Sequence, residues 1–167
     1  AYYTAYQNYV KDSTGTVPMP AQPTIDELTT SYSSLNDYKM ISDNIILNSA
    51  TFKPLFGTKS APELRATIKC VKNPTSTVSN SEIKSQVVAS MNQYFTIENW
   101  DFGDTFFFSE LSAYLHDKLG SIISTVVLVP TDPLKSFGDL YEIRSQPSEI
   151  FVNAATVNDI EVISALT

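Results

Sequence analysis

Leu64-Arg65-Ala66-Thr67-Ile68-Lys69-Cys70-Val71 alternates apolar and polar side chains along its length. Successive side chains of an extended chain point to opposite faces. Leu64, Ala66, Ile68 and Cys70 therefore share one face, and Arg65, Thr67 and Lys69 share the other, as in a half-buried strand. Cys70 lies in the inward phase, which suits a buried small hydrophobe better than a reactive thiol. Asn73-Pro74-Thr75 ends the strand. Ser79 and Glu82 then stand in the capping-box relation, each able to satisfy an amide at a helix start. Ile83, Val87, Met91 and Tyr94 or Phe95 follow at steps of three and four. They give an amphipathic helix of about fifteen residues with one wall against a sheet.

Reading outward from this pair, Thr96 and Asn99 mark the helix exit. Trp100-Asp101-Phe102-Gly103-Asp104-Thr105-Phe106-Phe107-Phe108-Ser109-Glu110-Leu111 comes next. Gly103 permits a backbone angle that a side chain would obstruct, Asp104 can hold a turn, and the phenylalanines form a short β-prone piece. Ser109 or Asp104 can cap a second helix that carries Leu111, Leu115 and Leu119 and stops at Gly120. His116 falls on a flank of that helix. Ile122 to Val129 is nearly all apolar, which predicts a central strand covered on both faces. Leu140–Arg144, Glu149–Val152 and Ile160–Ile163 read as short strands with tight connections, arranged as an antiparallel meander. The order predicts an α+β fold, with two amphipathic helices packed on a mixed or antiparallel sheet. The expected core is Ile68, Ile83, Val87, Leu111, Leu115, Val127 and Leu128.

Three sections follow along the chain. Residues 1–37 form an irregular arm rich in Tyr and broken by Pro18, Pro20 and Pro23. Its opening, Ala1 to Tyr6, suits one helical turn, a short strand or a loose end. Asp26-Glu27-Leu28 after Thr24 opens a short helix. Residues 38–63 form an extended connecting segment, with Tyr38, Met40, Ile45 and Leu47 on one apolar face and Phe52, Leu55 and Phe56 anchoring its return. Residues 64–167 form the α+β assembly domain, and Ile160 to Thr167 reads as a strand running almost to the end. A first residue Ala1 rather than Met fits a processed product or a piece of a longer chain.

Composition narrows the chemistry. The chain has 167 residues, of which 43% are hydrophobic and 17% charged, and a formal net charge of −7. One such length suits a single domain with its own core. The single cysteine excludes an internal disulfide framework and a multi-cysteine zinc site, and the single histidine excludes a two-imidazole centre. The acidic balance argues against nucleic acid and anionic membrane as partners. Lys59, Arg65, Lys69 and Lys72 make a small basic stripe that a solvated sheet face explains. The apolar runs are too short to cross a bilayer. No phosphate-cradling glycine run, metal-ligand spacing or Ser-His-Asp context is present. Asp101, Asp104 and Glu110 lie close in sequence, but turn formation and helix capping account for them better than a hydrolytic acid pair. No catalytic residue, cofactor, metal or small-molecule substrate is assigned.

The succession from Ser81-Glu82-Ile83-Lys84 through Asn92-Gln93-Tyr94-Phe95 and Trp100-Asp101-Phe102-Gly103-Asp104, then Ser109-Glu110-Leu111, resembles a known family. Ser121 to Pro130, Phe137-Gly138-Asp139-Leu140-Tyr141-Glu142-Ile143 and Pro147-Ser148-Glu149-Ile150-Phe151-Val152 continue the likeness over about residues 38–167. The family is the large baseplate wedge protein of T4-like contractile-tailed bacteriophages, related to baseplate J-like proteins, and the likeness is to its C-terminal part. The resemblance implies a fragment of a longer, non-enzymatic structural protein of the virion tail baseplate, made in the host cytoplasm. It implies a homodimer, contacts with other wedge proteins, and assembly of copies into a ring around the central hub.

Rigid aromatic rings bury much area at modest entropy cost, so Tyr94, Trp100, Phe102, Phe106 and Tyr141 are the leading interface candidates. Each could equally be core. Edge strands near Ile150 and Ile160 could pair with another chain. Two other functions fit the residues: a protein-binding adaptor that does not dimerise, and a carboxylate-dependent hydrolase.

Overall fold

The computed structural model describes residues 1–34, 50–132, 134 and 137–164. The expected apolar face of Tyr38, Met40, Ile45 and Leu47, and the last residues of the expected terminal strand, lie outside them. The fold is α+β. The main layer is a three-stranded sheet in the order β4-β2-β7, built from β2 (Ala66–Lys72), β4 (Ile123–Pro130) and β7 (Ile160–Ser164). β2 runs antiparallel to β4, with Ile68 opposite Leu128, and parallel to β7, with Ile68 opposite Ile160. The alternation in β2 holds: Ala66, Ile68 and Cys70 are buried. Burial pushes the Cys70 thiol up to about 12, so it stays protonated and unreactive.

Two helices cover that inner face. Helix α3 (Asn80–Tyr94) follows a Ser79 cap whose hydroxyl accepts the Glu82 amide at 3.2 Å. The reciprocal half of the expected capping box does not form, because the Glu82 carboxylate accepts from the Gln86 side chain at 2.9 Å. Ile83, Val87 and Met91 are fully buried. Helix α4 (Phe108–Leu119) buries Leu111, Leu115 and Leu119. Its N-cap residue is Phe107, with no side-chain cap, so neither Ser109 nor Asp104 serves there. Asp104 instead accepts the Asp101 amide at 2.8 Å. Gly120 ends the helix in a right-handed conformation.

The expected meander of the last strands is not what forms. β5 (Glu142–Arg144) pairs antiparallel with β3 (Thr105–Phe107), β6 (Glu149–Asn153) pairs parallel with β1 (Thr51–Leu55), and β7 joins β2. Each late strand thus returns to a different early one, and the chain is closed by long-range pairings rather than hairpins. Parallel pairs need crossovers that local strand spacing does not reveal. The Ile122–Val129 run is also not central. Among the described strands β4 lies at the edge of its sheet, and Val127, expected in the core, is 46% exposed.

The arm is partly structured. Its opening is a full helix, α1 (Tyr2–Lys11), which packs Tyr6 and Val10 on Val152, Ala154 and Phe52. Tyr3 donates to the Phe95 carbonyl at 3.3 Å and ties α1 to the end of α3. Burial raises the Tyr6 phenol to about 12, with help from Tyr2 and Tyr9. Helix α2 (Ile25–Ser31) does carry a complete capping box, Thr24 with Glu27, yet buries none of its residues.

An aromatic cluster joins the β3–β5 and β1–β6 sheets. Phe106 of β3 sits 5.8 Å from Phe56, 5.6 Å from Phe95, 6.4 Å from Phe137 and 6.2 Å from Phe151. Phe56 stacks on Phe137 at 5.5 Å, 4° from parallel. Phe56 has a φ of 77° and leads into Gly57, where a Cβ would lie 1.9 Å from the Ala154 carbonyl oxygen. The close backbone approach where β1 and β6 end therefore requires glycine.

Candidate functional site

The seven interface candidates differ in burial. Phe106 (0% exposed) and Trp100 (9%) are core residues, and so are withdrawn as ring contacts; the side chains of Ile150 (3%) and Ile160 (1%) are core as well. Ile150 lies opposite Phe52 in the β1–β6 pair, and Ile160 lies opposite Ile68, so each of these strands is paired on one side and has no described partner on the other. Trp100 stacks on Phe95 and donates its indole N–H to the Tyr94 carbonyl at 3.0 Å. Tyr94 is half-buried among Phe95, Trp100 and Tyr114, and burial, then the nearby Glu110 charge, pushes its phenol up to about 12. Phe102 (53% exposed) and Tyr141 (43%) remain at the surface.

Tyr141 belongs to a site that sequence reading only half located. Asp139-Leu140-Tyr141-Glu142 is a tight turn closed by the Glu142 amide on the Asp139 carbonyl at 2.9 Å. Its two central residues have φ of 54° and 62°. Two consecutive positive φ values define the turn type that favours Asn-Gly, and here Leu and Tyr occupy it. A left-handed conformation costs a side-chain-bearing residue about 1–2 kcal/mol. Leu140 is 98% exposed, so burial does not offset that cost within the monomer. Strain of this sort, holding an apolar side chain in water, is found where a surface feature is used.

Beside the turn runs a groove of about 510 Å³. One wall is α4, through Ser109, Ser112, Ala113 and His116; the other is β4, through Ser124, Thr125 and Val126. Leu140 and Tyr141 close its end, together with Phe107, itself 38% exposed. His116 is thus a flank residue lining a small-residue wall. No described strand pairs with the outer edge of β4.

Chemistry is not concentrated in the same way. Asp104 and Glu110 line a separate depression of about 450 Å³ with Tyr94, Trp100 and Tyr114. Asp104 is engaged in its turn: its carboxylate accepts the Asp101 amide, and its carbonyl accepts both the Ser145 amide at 3.0 Å and hydroxyl at 2.8 Å. Among the described residues no group of three or more His, Cys, Asp or Glu side chains could hold a metal ion. Among them, too, no helix is long and apolar enough to cross a membrane. No family, curated protein or solved structure matches the chain. The site is therefore read from its own geometry: a strained apolar turn, a small-residue groove and an open strand edge on one side of the molecule.

Proposed function

We propose that this chain is a structural assembly module that binds a second copy of itself, and that it serves in the baseplate of a contractile phage tail. The observation that carries the self-association reading is the Leu140–Tyr141 turn, a pair of large apolar side chains displayed in a strained backbone beside a strand edge that no described strand pairs with. Leaving them in water gains nothing, whereas burying them against a partner returns apolar area at little further ordering cost. The baseplate setting is supported by the sequence resemblance alone. In that setting the partners are other wedge proteins as well as the second copy, and the place of work is the virion.

The reading has no enzymatic step. Sedimentation across a concentration series tests it: a rise in mass with concentration is expected, and a strict monomer at high concentration counts against it. A monomer that still captured another wedge component would make the chain a protein-binding adaptor instead.

A further inference from the structure

The self-association reading leaves open which surface meets which, and β4 supplies a specific answer. Ile123-Ser124-Thr125-Val126-Val127-Leu128-Val129-Pro130 carries no charge in a chain of net charge −7. Edge strands of soluble proteins are usually blunted by charges, by early proline or by brevity. This edge is eight residues long, and its proline stands at the last position. Its neighbour on the outer sheet face, Lys69, lies opposite Val127 and is paired with Glu161 at 2.9 Å. Two copies can therefore bring these edges together without opposing like charges, despite their overall repulsion.

Backbone phase fixes the register. The Thr131 amide donates to the Arg65 carbonyl at 3.0 Å, so these opposed residues are a hydrogen-bonded pair. Hydrogen-bonded and non-hydrogen-bonded pairs alternate along an antiparallel ladder. Val129, Val127 and Thr125 thus bond inward to Thr67, Lys69 and Val71, and Val126 and Leu128 turn their N–H and C=O groups to the open edge. Pro130, which has no N–H, falls in the same outward phase, just where the outward ladder ends. We infer that β4 pairs antiparallel with β4 of a second copy about a two-fold axis at Val127. Val126 then exchanges two hydrogen bonds with Leu128 of the other copy, and Leu128 with its Val126. Val127 faces Val127, and Thr125 faces Val129, on the outer face of one continuous six-stranded sheet. A closed two-fold contact of this kind uses the same patch on both copies.

This inference rests on the self-association reading, and one experiment separates the two. The full chain, V127K and V127C are compared by sedimentation, with far-ultraviolet circular dichroism as the folding control. V127K should weaken association by about 100-fold or more, because it removes two buried valines and sets two ammonium groups face to face. Its fold should be intact, since the position is half-exposed in the monomer. V127C should form a reducible covalent dimer under mild oxidation. Non-hydrogen-bonded residues stand about 4.5 Å apart at Cα, within disulfide reach, and the buried Cys70 does not compete. Should V127K fail to fold, V127C alone decides the register. If the parent chain associates while V127K retains its affinity, or V127C gives no covalent dimer, β4 pairing is overturned and self-association stands. A parent chain that stays monomeric overturns both.

Discussion

Trp100 lies flat on Phe95, ring centroids 5.4 Å apart and planes 7° from parallel. The contact closes the exit of α3: the chain leaves the helix at Phe95, makes one 3-10 turn at Ile97–Asn99, and folds its indole back on the residue it has just left. The most distinctive sequence stretch thus anchors the aromatic core, and the rings it leaves exposed are Phe102 and Phe107.

Trp100→Ala should lower stability by about 3–5 kcal/mol, the usual cost of emptying a buried aromatic site. Trp100→Phe keeps the stack but loses the bond to the Tyr94 carbonyl, and should cost about 1–2 kcal/mol. Urea unfolding of the two variants measures the difference.

Gly57→Ala should destabilise by about 2 kcal/mol or more, since the Ala154 carbonyl must move to admit a methyl group. At Gly103→Ala the new methyl makes only an ordinary contact, with Pro147 Cα at 3.6 Å, and the cost comes chiefly from the φ of 82°, about 1–2 kcal/mol. Chemical denaturation should rank Gly57 as the costlier site.

Leu140→Asn should raise the stability of the monomer by about 0.5–1 kcal/mol, because Asn tolerates the left-handed turn and no buried area is lost. The same change should weaken self-association. Melting temperature and sedimentation moving in opposite directions is the expected signature; a variant less stable than the parent contradicts the strain argument.

How much of this was legible follows from the range of each interaction. The strand at Ala66–Lys72, the two helices and their buried Ile83, Val87, Met91, Leu111 and Leu115 repeat a local period, and period is visible in sequence. The pairing of β1 with β6 and of β2 with β7 is non-local, and no period records it. For Val127 the signal misled. A continuous apolar run reads as a strand covered on both faces, and no described element covers the outer face of β4 at Val127. For Tyr141 the sequence left surface and core equally open, and the strain beneath it was not legible, because Leu-Tyr is not a sequence signature of a left-handed turn.

Glu149 should make stability fall in acid. Burial alone would raise its carboxyl, but the Gln146 amide at 2.8 Å and the Lys53 ammonium at 3.0 Å outweigh it and hold the value below the usual glutamate range. A depressed folded value contributes stability above the unfolded pKa, and that contribution is lost as pH falls through the folded value. Glu149→Gln should therefore be less stable than the parent at neutral pH and lose less on acidification. Parallel curves of melting temperature against pH would count against this assignment.

The central claim is that two copies of this chain associate, and sedimentation equilibrium of the parent protein over a wide concentration range tests it most directly. The account predicts a mass that rises from 18.5 kDa toward twice that value and then levels off, as a closed two-fold contact requires. A mass fixed at 18.5 kDa up to the highest soluble concentration would contradict it.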